Sequence, residues 1–508
     1  MADDPEQRRS LWLADAPLTD YPALEQRHDV DVAVIGGGIV GLTAALLLQR
    51  AGLRTAVLEA RRIGTGVTGA STGKVTWLHG AKYSVIERTF DGVAARRYAE
   101  ANEHGLARLA AFAEELATAG HDCGFERQPA YTYTRDPGRV QSLRDEAEAA
   151  SRAGLAAAFT EDGPLPFPVA GAVRADDQAQ IDPYRYVVGL ADAAVRAGAQ
   201  VFERSRVHDV VSEQGRQVCR LHGRVELRAE RVIVATLLPF LDRGGFFAKT
   251  SPTRSYGIAV ALDGPAPSGM HISIDEPIRS TRPRPGGHGL VVIGEQHKVG
   301  QDPDTRRRDE ALEAWTREHF PVRSVDYRWS TQDYRSADDL PYVGRLPRGP
   351  EQILVATGFG KWGLGTGTAA AMMLEDLIRG RENPWLPLFD ATRVDLMASA
   401  RKMIEENANV AKRFVGDRLR SLKAPPIDEL APGEGGIVRD RDERVAAYRD
   451  ESGNVFACSP ICTHMGCYLQ WNAAEKSWDC PCHGSRFDYR GEVLQGPAVE
   501  DLERKRQP

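Results

Sequence analysis

A chain of 508 residues exceeds what one hydrophobic core supports, so two or three domains are expected. Apolar residues make up 42% and charged residues 27%, ordinary globular values, and a net charge of −6 without any Lys/Arg block argues against nucleic acid or anionic membrane as a partner. The N-terminal MADDPEQRRS is followed by no apolar signal region, and the longest apolar run, 39–48, is interrupted by Gly41 and Thr43 and far short of a membrane span, so a cytoplasmic, soluble protein is expected.

In chain order, residues 30–60 read as strand, tight turn, helix and strand. VDVAVI runs into GGGIVG, a helix-forming stretch follows to Gln49, and RTAVLE forms the next strand. From about 84 to 160 the chain is rich in Ala, Glu and Arg with helical spacing. A second helical stretch, 184–198, leads into the strand candidates AQVFE, VHDVV and RVIVAT. Residues 255–335 mix strand candidates (YGIAVAL, GLVVIGE) with Pro/Gly turns. ILVATGFGKWGLGTGTAAAMMLEDLI is another strand, turn and helix. A charged helical stretch and the Pro-rich KAPPIDELAPGEGG, 396–432 together, mark a linker. The last 75 or so residues turn to short strands and Gly/Asp/Asn turns.

Gly36, Gly38 and Gly41 form G-x-G-x-x-G between the first strand and its helix. There the first glycine makes the turn, the second admits a pyrophosphate, and the third lets helix and strand pack. Glu59 ends the second strand, where an acid takes ribose hydroxyls. Dinucleotide binding follows from the whole unit, since a lone glycine motif is equally a structural turn. The continuation EARRIGTGVTGASTGKVTW resembles the D-amino-acid oxidase superfamily of glycine-oxidase-like flavoenzymes. So do Asp338-Asp339-Leu340-Pro341-Tyr342-Val343-Gly344 and the final turn ILVATGFGKWGLGTG, over residues 29–395 in all. The resemblance implies FAD, with Gly358, Gly360, Gly363 and Leu364 against the isoalloxazine. Read alone, that second G-x-G-x-x-G suggests an NADH site. No second strand with a terminal acid follows it, so a helix N-terminus stabilising the reduced flavin's negative charge is the favoured role.

Of seven cysteines, Cys123 and Cys219 are scattered, whereas Cys458, Cys462, Cys467, Cys480 and Cys482 crowd together, which points to metal or redox chemistry. Cys462-Thr463-His464-Met465-Gly466-Cys467 and Cys480-Pro481-Cys482-His483-Gly484-Ser485 supply two cysteines and two histidines from two loops, the ligand set of a Rieske [2Fe–2S] cluster. The expected ligands are Cys462, His464, Cys480 and His483. The alternatives are a Cys₂His₂ zinc site, whose C-x-x-C spacing is absent, and a disulfide-stapled loop. The boxes resemble cytochrome bc type Rieske proteins. This resemblance implies a Cys467–Cys482 disulfide, a potential-raising hydrogen bond from Ser485, and a screening loop at Gly496-Pro497. Phe487 stands where high-potential relatives carry a tyrosine donor, so a potential below the top of the Rieske range is expected. Cys458 reads as a buried strand residue.

The resemblances together imply a Rossmann-like α/β FAD-binding domain with an inserted α+β substrate domain, and a small all-β Rieske domain. FAD-binding segments are expected at 29–83, 171–254 and 336–395, substrate-domain segments at 84–170 and 255–335, and the Rieske domain at 433–508. The expected activity is dehydrogenation of an amine or amino-acid-like small molecule, with electrons passing through the cluster to an external acceptor, or in the reverse direction from an external donor. The alternative is an electron-transfer or redox-sensing protein without its own substrate. Substrate-side candidates are Lys74, His79, Arg254, Tyr256, His297, Lys361 and Trp362, each equally readable as structural. His79 is also a candidate for covalent flavin attachment. A ring-hydroxylating oxygenase is disfavoured, because the remaining histidines form no compact pair with a carboxylate for a mononuclear iron.

Overall fold

A computed structural model describes residues 8–14, 16–393, 396–421 and 424–506. The first unit folds as expected into β1 (His28–Ile35), α1 (Ile39–Arg50) and β2 (Thr55–Leu58). The sheet built on them runs Gln200–Phe202, β2, β1, β3 (Glu226–Val234), β4 (Ile353–Thr357) and Tyr342–Arg345, parallel except for the last pairing. The end of β1, VAVI, is apolar without alternation and fully buried, as suits a strand covered on both faces. α1 is buried almost all round because α2 (Gly365–Ile378), which follows β4, packs beside it. After α2 the chain enters a short helix, Leu386–Phe389, and among the described residues no further parallel strand completes a second nucleotide unit.

A second, nine-stranded sheet carries the inserted region. The strands Thr250–Leu262, Gly289–Lys298 and Val322–Ser336 pair antiparallel at one end, and Glu126–Thr134 and Gly171–Gln180 at the other. Two sequence expectations are corrected here. The stretch 84–160, read as helical, holds the strands Glu126–Thr134 and Ala157–Thr160, because the aromatic and β-branched AYTYT pairs with Gly171–Gln180. Conversely, the strand-and-turn region 255–335 includes the helix Arg306–His319. The long helix Gly92–Thr118 is as expected, its first turn capped by Asp91, which accepts from Ala94 N at 2.7 Å.

The C-terminal region is two four-stranded antiparallel sheets, one from Gly435–Asp440, Glu443–Arg449, Val455–Cys458 and Arg504–Arg506, the other from four short strands between Gln470 and Gln495. Its core is built on Trp478, Phe487 and Cys458, all fully buried, with Cys458 on a strand as expected. Among the described residues, no helix is long and apolar enough to cross a membrane.

The two regions meet through a buried ionic network. Arg254 on the strand Thr250–Leu262 forks onto both carboxylate oxygens of Glu475, which also accepts from Arg486 at 2.5 Å, and Arg486 in turn reaches Asp479 at 2.8 Å. All four side chains are at most 9% exposed. Removing one member of such a network leaves an unpaired charge out of water, which costs more than the pairing itself contributes. Glu475→Ala should therefore destabilise the protein by about 3–5 kcal/mol, read as a lower denaturation midpoint. Loss of the exposed Arg504–Glu492 pair should cost less than about 1 kcal/mol.

Candidate dinucleotide and iron–sulfur sites

The glycine turn after β1 opens on a cavity of about 1030 Å³. A Cβ at Gly36 would lie 2.4 Å from Ala235 O, and one at Gly41 would lie 2.0 Å from Gly36 O, so only glycine permits this crossing of backbones. Gly38 begins α1 without a capping side chain, and Thr68 Oγ1 takes only the Ile39 N–H, at 3.2 Å. The helix end thus offers N–H groups and the positive end of its dipole to an anion. Glu59 lines the same cavity, and its two oxygens accept from Gly37 N and Arg61 N, both at 2.8 Å. Gly36, Gly38 and Glu59 are brought to one wall, while Gly41 stands behind it. This glycine-floored cradle fits the diphosphate and ribose of FAD.

The turn between β4 and α2 forms another wall. Gly363, Leu364, Lys361 and Trp362 line the cavity, whereas Gly358 and Gly360 shape the turn through positive φ of 78° and 56°. The turn is held from outside: Gly360 N donates to Tyr334 O at 3.0 Å, and Lys361 N donates to the carboxylate of Asp333. Lys361 Nζ reaches Ser255 Oγ at 3.0 Å and Gln296 Oε1 at 2.5 Å. The lysine is open to the cavity and enclosed elsewhere, and that enclosure lowers its ammonium to about 8 against the pull of Asp333. Lys74, also on the cavity, bonds His271 O at 2.6 Å and the Ser280 hydroxyl. Burial, helped by Arg282, holds its ammonium well below the ordinary value.

The remaining candidates fall elsewhere. Both nitrogens of His79 are engaged, with Tyr98 Oη and Thr76 O, each at 2.7 Å. The ring stacks on Trp362 at 4.4 Å, behind the cavity lining. Tyr256 and His297 contact each other at 3.2 Å and neither lines the cavity, Tyr256 packing into a separate core. Arg254 borders the cavity, but its guanidinium is taken by Glu475.

In the C-terminal region both cysteine boxes fold into the same turn. Cys462 N donates to Cys467 O and Cys480 N donates to Ser485 O, each at 2.8 Å, and Gly466 and Gly484 take φ of 72° and 77°. Cys467 and Cys482 are joined by a disulfide that ties the two loops together. The sulfurs of Cys467, Cys480 and Cys482 lie within 4.8 Å of one another, but the disulfide consumes two of them, so they are no ligand trio. The donors left free are different. Cys462 and Cys480 are buried free thiols, and the neighbouring Cys480 thiol draws the Cys462 thiol down to about 6. The rings of His464 and His483 stand 5.1 Å apart, and their Nδ1 atoms are buried without any hydrogen-bond partner. Two buried imidazole nitrogens without partners, in the same loops as two free buried thiols, would be costly unless they ligate a metal group. They fit a [2Fe–2S] cluster with Cys₂ on one iron and His₂ on the other.

Residues outside the boxes complete this site, and the sequence carried no motif for them. Asp242 Oδ1 meets His464 Nε2 at 2.7 Å, and Phe247 packs edge-on against both imidazoles. Gln332 Nε2 donates to Gly484 O at 2.7 Å, Tyr334 Oη to His483 O at 2.9 Å, and Gln301 Nε2 to Pro481 O at 3.1 Å. All five lie in the first two-thirds of the chain. Only the polar run STQDYRS within a strand hints at any of them. The C-terminal region in turn walls the first cavity with Glu475, Arg486, Tyr489 and Pro497.

Comparison with known proteins gives the same division. The family described as FAD dependent oxidoreductase matches residues 31–377, and the Rieske [2Fe-2S] domain matches residues 421–505. "Putative Rieske 2Fe-2S iron-sulfur protein YhfW" of Bacillus subtilis (strain 168) is 34% identical over 98% of this chain and 97% of its own length. The cytochrome b6-f complex iron-sulfur subunit 1 of Nostoc sp. is 49% identical over 90 residues, 17% of this chain and 41% of that protein. Among solved structures, glycine oxidase from Geobacillus kaustophilus superposes with a TM-score of 0.62 at 21% identity, over 72% of this chain and 100% of that one. L-proline dehydrogenase from P. horikoshii gives 0.58 at 19%, over 72% and 98%. The chain belongs to the FAD dependent oxidoreductases, with the glycine-oxidase fold, and carries a C-terminal Rieske [2Fe–2S] domain.

Proposed function

We propose that this oxidoreductase dehydrogenates an amine or amino-acid-like substrate in the cavity beside Lys74, Lys361 and Trp362, and delivers the electrons through the Rieske domain to an external acceptor. FAD supplies two-electron oxidation of a C–H bond, and a [2Fe–2S] cluster passes electrons singly. The observation that carries the reading is the strand Val322–Ser336, which touches the turn lining the cavity and the second cysteine box at once. The names of the structural neighbours, glycine oxidase and L-proline dehydrogenase, support the substrate class.

The chain's own residues have separable tasks in this reading. Gly36, Gly38 and Glu59 hold the dinucleotide, and the α2 N-terminus at Gly363 and Leu364 favours negative charge on the reduced ring. Lys74 and Lys361 face substrate with polar hydrogens, and the stacked Trp362 and His79 close that side to water. Cys462, His464, Cys480 and His483 ligate the cluster.

Anaerobic titration with a panel of amines and amino acids should bleach the flavin and raise the EPR signal of the reduced cluster. Reduction by NADH alone, with no response to any amine or amino acid, would overturn the reading in favour of electron transfer without a small-molecule substrate. Cys480→Ser should lose nearly all iron and acid-labile sulfide while keeping FAD, so that flavin bleaching persists and acceptor reduction stops. Burial raises the carboxyl of Asp333 to about 6, and the carboxylate formed above that pH is the form that holds the Lys361 N–H. A pH titration of the flavin spectrum should therefore show an inflection near 6 that Asp333→Asn removes.

A further inference from the structure

Three consecutive residues of the strand Val322–Ser336 divide their contacts by the two-residue alternation of a β-strand. Asp333 turns to the flavin side and holds Lys361 N. Gln332 and Tyr334 turn to the Rieske side and end on the second cysteine box. Tyr334 spans the whole distance alone. Its backbone oxygen accepts from Gly360 N in the turn that lines the cavity, its ring is buried in the core around Phe246 and Tyr342, and its hydroxyl donates to His483 O at 2.9 Å. The Gly496 carbonyl lies 3.2 Å from the same hydroxyl, and Gln332 Nε2 donates to it at 3.2 Å. The fit admits no slack. A Cβ on Gly484 would come within 2.6 Å of Pro252 Cβ and 2.9 Å of the Tyr334 hydroxyl.

We propose that Tyr334 is the positioning residue that couples the two redox centres: by anchoring the carbonyl of His483 to the strand that holds the flavin-side turn, it lets electrons cross within the packed molecule without movement of the Rieske domain. Each crossing takes one electron from reduced FAD and converts one ferric iron of the cluster to ferrous. The second crosses after a one-electron acceptor has reoxidised the cluster, and the flavin's protons leave to solvent. The hydroxyl also presents its positive hydrogen to the cluster loop. Acting on the backbone of a ligand residue, it orients the His483 loop from outside the ligand set, and such outer-shell contacts tune the potential. This rests on the presence of both cofactors and not on the substrate proposed above.

The test uses the full-length protein with both cofactors, photoreduced through a deazaflavin so that no substrate enters. Tyr334→Phe keeps the ring and should retain iron, FAD and the unfolding midpoint. It should lower the midpoint potential of the cluster in an EPR-monitored titration, shift its g-values and slow its reduction by the flavin. Gln332→Leu, which breaks the bond to Gly484 and the donor to Tyr334, should shift the potential the same way. Wild-type potential, g-values and reduction rate in Tyr334→Phe with both cofactors bound would overturn the proposal. If that variant loses its cluster, an unchanged potential in Gln332→Leu overturns it instead. An amine panel without response would leave this outcome standing, so the two readings fail separately.

Discussion

Glu475 brings a negative charge into the boundary between the two halves of the molecule, where Arg254 comes to it from one side and Arg486 from the other. Neither guanidinium has water enough to be left alone, so the Rieske domain has one seat on the oxidoreductase body rather than a range of them. Everything functional follows from that seat. With Glu475 between the two arginines, the second cysteine box meets the strand Val322–Ser336 and the edge of the dinucleotide cavity gains its C-terminal wall.

The histidine side of the cluster is the part this arrangement changes most. His464 and His483 are covered by Asp242, Phe247 and Tyr334. The Rieske domain therefore turns its histidine edge inward, against Asp242 and Phe247 of the oxidoreductase body. Ile461, just before the first box, and Met465, within it, stand exposed.

The long strand does two jobs because of its pleat. Side chains one residue apart point to opposite faces, so Asp333 serves the flavin side while Gln332 and Tyr334 serve the iron–sulfur side. A slip of one residue in its pairing with Thr250–Leu262 would exchange those faces, and the thirteen paired positions between the two strands hold the register.

Both cofactors are legible in the sequence because each motif is short-range: the glycine turn needs Gly36, Gly38 and Gly41 within six residues, and each cysteine box folds on one backbone turn closed within it. The order of the two domains is equally legible. The sequence misled between 84 and 160, where strong helix formers around Glu126–Thr134 hid a strand defined only by its partner. Of the substrate-side candidates, the tertiary structure drew Lys74, Lys361 and Trp362 to one cavity and turned Tyr256 and His297 away, a choice made by which face of a strand packs inward. The meetings of Tyr334 with His483 and of Arg254 with Glu475 arise from long-range folding. Those partners lie 149 and 221 residues apart in the chain, and no local propensity specifies a contact that exists only once two separately folded cores are pressed together.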